Sequence, residues 1–255
     1  MPTGGSRRAG RRRVRGTAVV LAALAFVVVG CWQTAPIRSG STGSTGATGS
    51  TVPDVTPAGP GLRYVALGDS YTIGTSVGER ERWPSQLVAR EPRLELLANL
   101  GVNGFTSRDV IEVELPQLDA LRPEFLTVLI GVNDVVQGVP AETYRRNVAR
   151  ILADAVERVG ANRVVVVTTP DYTVTPSGSD YGDPVQQAAG IRENNAIIAE
   201  VSGALGIVVV DIHDISLDAA TDQSLVAFDG LHPSGAQYAR WVERILPSVA
   251  ALLGE

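Results

Sequence analysis

The sequence predicts one α/β domain over residues 62–255, organised as a three-layer α/β/α sandwich around a five-stranded parallel sheet. Five short apolar runs alternate with longer amphipathic stretches, which is the order expected of parallel strands joined by helical crossovers. Within each run apolarity is nearly continuous, as is typical of strands buried on both faces. These two patterns together predict the fold class.

The five predicted strands are short and rich in β-branched residues or leucine. They span Arg63–Leu67, Leu94–Asn99, Phe125–Ile130, Arg163–Thr168 and Ile207–Asp211. The predicted helices are amphipathic and span Trp83–Arg90, Ser107–Leu115, Ala141–Val159, Pro184–Leu205 and Ser234–Leu253. Ser234 and Gln237, three residues apart, predict a capping box at the start of the last helix.

The composition limits the classes of function. Apolar residues make up 44% of the chain and charged residues 19%, values typical of a folded domain. Six of the 22 basic residues lie within residues 1–30, which hold no acid. Residues 31–255 therefore contain 16 basic residues and all 27 acidic residues, so this part of the chain is acidic. A nucleic-acid partner is therefore not expected, because such partners require a basic face. The single cysteine excludes an intramolecular disulfide framework and a Cys-rich zinc site.

The first thirty residues have the organisation of a secretory signal peptide. An arginine-rich segment precedes the apolar run at residues 17–29, and small residues follow. The run is shorter than the roughly 20 residues that a membrane-spanning helix needs. We therefore expect residues 1–30 to be an export signal rather than a permanent membrane helix.

The segment around Cys31 resembles the lipobox of bacterial lipoproteins. Cys31 directly follows Val28-Val29-Gly30, and the resemblance implies that this cysteine is lipidated and becomes the mature N-terminus. A diacylglycerol supplies the two chains that stable anchoring needs. Residues 31–61, rich in Ser, Thr, Gly and Pro, then form a flexible tether. This predicts a lipoprotein on the outer face of the cytoplasmic membrane; plain secretion with an incidental cysteine is the alternative.

Chemistry is expected where the strands end, because open parallel sheets bind ligands at the carboxyl edge. Ser70 follows the first strand after Gly68-Asp69, and glycine permits the tight turn that exposes a serine there. Asp69 is expected to brace this turn. A serine hydroxyl is a poor nucleophile unless a base removes its proton.

Two histidines are candidates for that base. His232 lies in a predicted turn before the last helix, with Asp229 three residues earlier, so the carboxylate can bind Nδ1 while Nε2 faces the serine. His213 also has neighbouring acids, but their side chains are expected to point to different faces. We therefore expect His232 to be the base and His213 to be a surface-loop residue.

Three donors are available for a developing oxyanion. Asn133 offers a side-chain amide where an aspartate would repel negative charge, Gly104 has no side chain to block its backbone N–H, and the Ser70 amide is the third. Each segment also has a structural interpretation, since glycine serves turns and Asn133-Asp134 is suited to capping a helix. Their joint occurrence after predicted strands favours acyl transfer.

Four segments together resemble the four sequence blocks of the SGNH hydrolases, also called GDSL-type esterases and lipases. They are GDSY at 68–71, GVNGFT at 101–106, GVND at 131–134 and DGLHP at 229–233. Tyr71 replaces the leucine of the family's name. The resemblance implies a flavodoxin-like fold, a serine esterase acting on lipid or acylated carbohydrate esters, and no metal or organic cofactor.

The resemblance also implies roles for individual residues. Ser70 would be the nucleophile, His232 the base and Asp229 its orienting partner. Gly104 and Asn133, with the Ser70 amide, would form the oxyanion hole.

Aromatic residues near the same edge are candidate substrate contacts. Tyr71 and Trp83 are expected to line an acyl pocket or to pack in the core, and Tyr172 lies in a long loop, residues 171–183, that is expected to touch substrate. Asp180 and Asp183 in this loop are expected to be solvated rather than to bind calcium. No metal site is predicted.

Other classes of function stay open at this point. An acyltransferase would use the same residues, and a tethered binding module would keep the fold without the chemistry. A flavodoxin-like nucleotide binder would need a phosphate cradle after the first strand, which GDSYTIGTS does not resemble. A monomer is the default expectation.

Overall fold

The structure, a computed structural model, describes residues 61–254. The predicted signal peptide (residues 1–30), Cys31 and all but the last residue of the predicted tether lie outside these residues. Within residues 61–254, no helix combines the length and the apolarity needed to cross a membrane.

Five parallel strands form one sheet with the order β2-β1-β3-β4-β5. The strands are β1 (Leu62–Gly68), β2 (Leu94–Asn99), β3 (Phe125–Leu129), β4 (Val164–Val167) and β5 (Val208–Val210). Each lies within about one residue of its predicted bounds at either end. The chain order reverses beside β1, so the edge where β1 and β3 end is the switch point at which such sheets bind ligands.

Side chains of β1 alternate between two apolar cores, one on each face of the sheet. Tyr64 and Ala66 pack into the first core, and Val65 and Leu67 pack into the second. All four are fully buried, because helices cover both faces. This double coverage is why residues 64–67 of β1 are apolar in succession instead of alternating with polar residues.

Nine α-helices surround the sheet in residues 61–254. They are α1 (Ser70–Ile73), α2 (Trp83–Arg90), α3 (Ser107–Asp109), α4 (Leu118–Leu121), α5 (Val132–Val136), α6 (Ala141–Val159), α7 (Pro184–Ala204), α8 (His213–Leu217) and α9 (Gly235–Leu253). Short 3₁₀ turns lie at Glu79–Glu81, Leu115–Gln117, Ala161–Arg163, Tyr172–Val174, Gly178–Tyr181, Asp218–Ala220 and Gln223–Leu225.

The two helical layers follow the two cores. Helices α2 and α9 contribute Trp83 and Trp241 to the first core, while α6 and α7 contribute Ile151 and Ile198 to the second. The predicted three-layer α/β/α sandwich with a five-stranded parallel sheet is confirmed.

The helix predicted over Ser107–Leu115 is wrong in its detail. The chain forms α3, then a π-helical turn at Val110–Glu114, then a 3₁₀ turn that contains Pro116. Proline lacks an amide hydrogen and its ring clashes with the carbonyl four residues earlier, so it kinks or breaks an α-helix that continues through it. The wider π turn accommodates the proline, and such turns often occur beside functional sites.

The capping box predicted at Ser234 is half formed. The Ser234 hydroxyl accepts a hydrogen bond from the Gln237 amide at 3.4 Å and so caps α9. The Gln237 side chain does not return to the Ser234 amide; it donates to the Leu225 carbonyl at 3.3 Å. The Ser234 amide donates to that same carbonyl at 2.8 Å, so the partner needed for a box is already engaged.

Candidate active site

A pocket of about 300 Å³ opens at the carboxyl edge of the sheet, where β1 and β3 end. Segments far apart in the sequence meet there. The pocket is lined by Ser70, Tyr71, Asn103, Gly104, Val132, Asn133, Val136, Tyr172, Tyr181, Leu231 and His232. The wall is mostly apolar, with a few polar groups grouped around Ser70, which is the usual character of a small-molecule site.

Ser70 is the first residue of α1, immediately after the turn that ends β1. A Cβ at Gly68 would lie 2.3 Å from the Leu129 carbonyl oxygen, and the Gly68 φ is +154°, so only glycine fits. Asp69 caps α1 by accepting a hydrogen bond from the Tyr71 amide at 2.9 Å. The predicted bracing role of Asp69 is therefore observed, and the turn holds Ser70 against the pocket with 6% of its surface exposed.

His232 and Asp229 form a close pair on the turn before α9. His232 Nδ1 lies 2.6 Å from Asp229 Oδ2, and the Leu231 and His232 amides donate to Asp229 Oδ1 at 2.9 and 3.0 Å. Burial raises the pKa of Asp229, but hydrogen bonds from Ser76, the two amides and His232 outweigh it and lower the pKa to about 2. The carboxylate is therefore ionised at neutral pH and able to stabilise an imidazolium.

Ser70 and His232 line the same pocket. No hydrogen bond between Ser70 Oγ and His232 Nε2 is present among residues 61–254. Contacts of this kind commonly tighten only when substrate binds. The Tyr71 ring packs against the His232 imidazole with centroids 5.1 Å apart, which limits the positions that the imidazole can take.

The three predicted oxyanion donors lie around Ser70. Asn133 Nδ2 donates to the Phe105 carbonyl at 3.0 Å, and its contact with Asp69 Oδ2 is 3.5 Å, the outer limit of a hydrogen bond. One of its two hydrogens is thus only weakly engaged. In the described part of the chain, the amides of Ser70 and Gly104 donate no hydrogen bond to another protein group. All three residues line the pocket and are available to a negatively charged oxygen.

Gly104 and Asn133 are held in place by two neighbouring contacts. Gln137, at the end of α5, donates to the Gly104 carbonyl at 3.1 Å. Asp134 accepts hydrogen bonds from the Ser107 amide at 2.8 Å and the Ser107 hydroxyl at 2.5 Å. Asp134 therefore caps α3 and fixes the start of α5. Gly104 has a φ of +82°, a backbone conformation that favours glycine.

Two carboxyl groups are buried beside the turn at Gly68-Asp69 that precedes Ser70, which we call the nucleophile turn. Burial raises the pKa of Asp69 to about 8, an effect that the Tyr71 amide opposes and nearby Asp134 increases. Burial also raises the pKa of Glu114 to about 9, and the Gly68 amide opposes it. Both groups are protonated at pH 7 and so place no charge beside a developing oxyanion.

His213 lies at the start of α8, away from the pocket of Ser70. Its Nε2 is 3.8 Å from Asp171 Oδ2, and its side chain is only 19% exposed. The expectation of a surface-loop residue is therefore wrong, because α8 packs His213 against the loop that follows β4.

The three expected substrate contacts fall into two groups. Tyr71 and Tyr172 line the pocket. Trp83 does not: it has no exposed surface and packs in the first core, so the expectation that it touches substrate is corrected. An aromatic residue at the start of a helix faces either the core or a cleft, and the sequence does not distinguish the two.

Several pocket residues were missed by the sequence reasoning. Val132 and Val136 lie one turn apart on α5, Leu231 precedes His232, Asn103 precedes Gly104, and Tyr181 belongs to the loop of Tyr172. Their proximity to the predicted site residues was the available signal. Within the described residues, no group of three or more His, Cys, Asp or Glu side chains is arranged to hold a metal ion.

Comparison with known proteins identifies the class. The profile of the GDSL-like lipase/acylhydrolase family matches residues 66–240, which include all four sequence blocks. The chain belongs to this family, and it is a serine ester hydrolase of the SGNH/GDSL type. A search of curated proteins finds no match.

Solved structures share the fold at low sequence identity. An acetyl xylan esterase from Geobacillus stearothermophilus, the variant Axe2-W215I, has 17% identity and a TM-score of 0.59, covering 75% of this chain and 96% of its own. A putative lipolytic protein of the G-D-S-L family from Desulfitobacterium hafniense DCB-2 has 19% identity and a TM-score of 0.60, covering 73% and 99%. The psychrotrophic esterase EstA from Pseudoalteromonas sp. has 16% identity and a TM-score of 0.58, covering 76% and 100%.

Proposed function

We propose that this chain hydrolyses carboxylic esters with short or medium acyl groups through an acyl-enzyme on Ser70. The observation that carries the proposal is the meeting of Ser70, Gly104, Asn133 and His232 around one pocket. The close contact of His232 Nδ1 with an ionised Asp229 supports a base role for the imidazole.

The proposed reaction begins when Ser70 Oγ attacks the carbonyl carbon and passes its proton to His232 Nε2. The ester carbonyl becomes an oxyanion that accepts hydrogen bonds from the Ser70 and Gly104 amides and from Asn133. Asp229 stabilises the imidazolium through Nδ1. The imidazolium then gives its proton to the leaving alcohol oxygen, and the ester bond breaks to leave the acyl group on Ser70.

Water completes the proposed cycle at the same place. His232 takes a proton from water, and the hydroxide equivalent attacks the acyl carbon to form a second oxyanion in the same hole. The bond to Ser70 Oγ breaks, Oγ recovers the proton from His232, and the carboxylic acid leaves.

The size and lining of the pocket support a small acyl group. About 300 Å³ lies at the lower end of the range for ligand sites. Val132, Val136 and Leu231 supply apolar surface beside Ser70, which favours an acyl chain over a charged group. The 171–183 loop limits the length that the pocket accepts, because Tyr172 and Tyr181 form part of its wall.

The test is a panel of nitrophenyl esters from acetyl to dodecanoyl, together with an acetylated xylo-oligosaccharide, assayed on wild type and on Ser70→Ala. We expect the highest kcat/KM for short and medium chains and no turnover by the variant. Labelling with a fluorophosphonate should add one adduct to Ser70, detected by peptide mass spectrometry. Ser224→Ala, which removes a hydroxyl from an exposed turn, is the matched control and should keep full activity.

Retained hydrolysis by a folded Ser70→Ala variant would contradict the proposal, as would an adduct on another residue. Analysis of products in the presence of an alcohol separates hydrolysis from acyl transfer. Transfer to the alcohol as the main outcome would make the chain an acyltransferase on the same residues.

We further propose that the domain is held at the outer face of the cytoplasmic membrane by a lipid on Cys31. The support is the sequence: an arginine-rich and apolar leader, the Val28-Val29-Gly30-Cys31 segment and the tether. Metabolic labelling with an alkyne fatty acid should mark the wild-type chain and leave Cys31→Ala unlabelled. Release of unlabelled wild-type protein into the medium would favour plain secretion instead.

A further inference from the structure

Ser76 contacts the acid of the candidate triad from a distant part of the chain. It lies in the loop after α1, and its Oγ donates a 2.6 Å hydrogen bond to Asp229 Oδ2. This is the same oxygen that pairs with His232 Nδ1, also at 2.6 Å. The loop that follows the nucleophile therefore reaches across the site to the turn that carries the base.

The backbone of Ser76 is in a conformation that its side chain disfavours. Its φ is +67°, and Ser76 and Arg122 are the two non-glycine residues with positive φ among residues 61–254. Glycine would adopt this conformation without strain. A strained serine at the edge of an active site, where glycine would be favoured, indicates that the hydroxyl itself is needed.

The two oxygens of Asp229 are held by different means. Oδ1 accepts the amides of Leu231 and His232, which belong to the same turn. Oδ2 accepts Ser76 Oγ and His232 Nδ1. With Ser76 in place, both oxygens of Asp229 have two partners each, and these four contacts oppose rotation of the carboxylate away from the imidazole.

We propose that Ser76 is a positioning residue for the His232–Asp229 pair, fixing the carboxylate and moderating its attraction for the imidazolium. The proposal rests on the proposed function of that pair as the base of an ester hydrolase. When His232 carries the serine proton, Asp229 must hold Nδ1 along one direction. A second donor on the same oxygen shares the negative charge, which limits how strongly His232 retains the proton.

The two phenols that neighbour the pair do not titrate between pH 5 and 9, whereas the buried carboxyl of Asp69 ionises near pH 8. Tyr71 packs on the imidazole and Tyr238 lies near Asp229. Burial raises the pKa of both phenols well above their ordinary value. Both phenols are neutral between pH 5 and 9. Asp69, whose buried carboxyl acts on both phenols, is protonated up to about pH 8.

Two variants distinguish the effect of losing the Ser76 hydroxyl from the effect of relieving its backbone strain. Ser76→Ala removes the hydroxyl and keeps the strain, whereas Ser76→Gly removes both. We expect both variants to lower kcat by about tenfold to a hundredfold, the effect of one hydrogen bond to a charged group, with KM within about twofold. Ser76→Gly should melt at a higher temperature than Ser76→Ala, because glycine relieves the strain. Ser224→Ala removes another hydroxyl that binds an aspartate, Asp222, outside the site, and should change neither constant.

A second measurement does not depend on activity. The chain has two histidines, so proton NMR resolves the His232 ring signal once His213→Gln has identified the other. Loss of the Ser76 hydroxyl leaves more charge on Asp229 and should raise the titration midpoint of His232 in both Ser76 variants. If wild type hydrolyses no ester, the proposed function fails while this titration still tests the contact.

The proposal stands if both Ser76 variants lower kcat and raise the His232 midpoint. It is overturned if Ser76→Gly keeps wild-type kcat, since the effect of Ser76→Ala would then come from the backbone. An unchanged His232 titration in both variants overturns it equally.

Discussion

Glu114 Oε2 accepts a 2.9 Å hydrogen bond from the Gly68 amide, two residues before Ser70. The contact joins the π-helical turn at Val110–Glu114 to the end of β1. Glu114 has no exposed surface, and its other oxygen, Oε1, has no hydrogen-bond partner among the residues that the structure describes. The nucleophile turn is thus supported from below by a carboxyl group that burial keeps protonated.

This protonated carboxyl makes stability depend on pH. Burial raises the pKa of Glu114 from its ordinary value near 4.5 to about 9. Between these values the folded chain holds a proton that the unfolded chain releases, so the free energy of unfolding falls as pH rises from about 4.5 to about 9. Asp69, with a pKa raised to about 8, acts in the same direction.

Glu114→Gln should remove part of this dependence, because the amide is neutral at every pH and still accepts the Gly68 amide. We expect the variant to lose less stability than wild type between pH 5.5 and pH 8.5, measured by urea unfolding with tryptophan fluorescence. Glu112→Gln, at a 53% exposed side chain two residues earlier, is the matched control and should keep the wild-type slope. Equal slopes for wild type and Glu114→Gln would show that Glu114 is ionised in the folded chain.

The raised pKa of Asp69 predicts that catalysis slows at alkaline pH. Its ionisation near pH 8 places a negative charge 3.5 Å from Asn133 Nδ2, and that charge opposes an oxyanion in the same place. We expect wild-type kcat to fall above pH 8. Asp69→Asn keeps an oxygen to cap the Tyr71 amide and should hold kcat constant to about pH 9.

The pH profile of Asp69→Asn is compared with that of Asp119→Asn, a neutralised acid on the exposed surface. If Asp69→Asn shows the same alkaline fall as wild type, another group sets that limit. Circular dichroism at each pH separates loss of activity from loss of fold.

Asn133→Ala should lower kcat by about 10²–10³, the usual effect of losing one oxyanion donor. KM should change little, because the ground-state carbonyl oxygen needs the donor less than the oxyanion does. Asn162→Ala, at an exposed position before β4 and so at the opposite edge of the sheet, is the control. A fall in kcat of less than about fivefold for Asn133→Ala would show that the two backbone amides stabilise the oxyanion without Asn133.

The fold was predictable from sequence because its pattern is repetitive and local. Residues 64–67 of β1 are apolar in succession since two helical layers cover the sheet, and α2 and α6 begin and end at their predicted residues. The break at Pro116 was also local, but its outcome, a π turn that aims Glu114 at Gly68, depends on packing against β1. The one sign in the sequence that Glu114 supports the turn before Ser70 was the presence of an acid within an apolar helical pattern.

Parts of the site depend on contacts between distant segments, which sequence patterns do not contain. Ser76 and Asp229 are 153 residues apart, and their contact follows from two loop shapes. Trp83 shows the opposite error: an aromatic residue near the correct edge of the sheet that packs in the core. The meeting of Ser70, Gly104, Asn133 and His232 at one pocket was predictable because each lies in one of the four recognisable sequence blocks.

The position of Tyr181 in the pocket wall predicts how the pocket selects among acyl chains of different length. Its ring packs edge-to-face on Tyr172 with centroids 6.0 Å apart and lines the pocket, yet it is 44% exposed. Tyr181→Ala should open the pocket on this side, so that longer acyl chains bury their ends beside Tyr172. We expect the ratio of kcat/KM for octanoyl to acetyl ester to rise at least about fivefold, the effect of about 1 kcal/mol. Tyr181→Phe keeps the ring and should keep the wild-type ratio; an unchanged ratio in Tyr181→Ala would mean that the acyl chain lies along α5 instead, against Val132 and Val136.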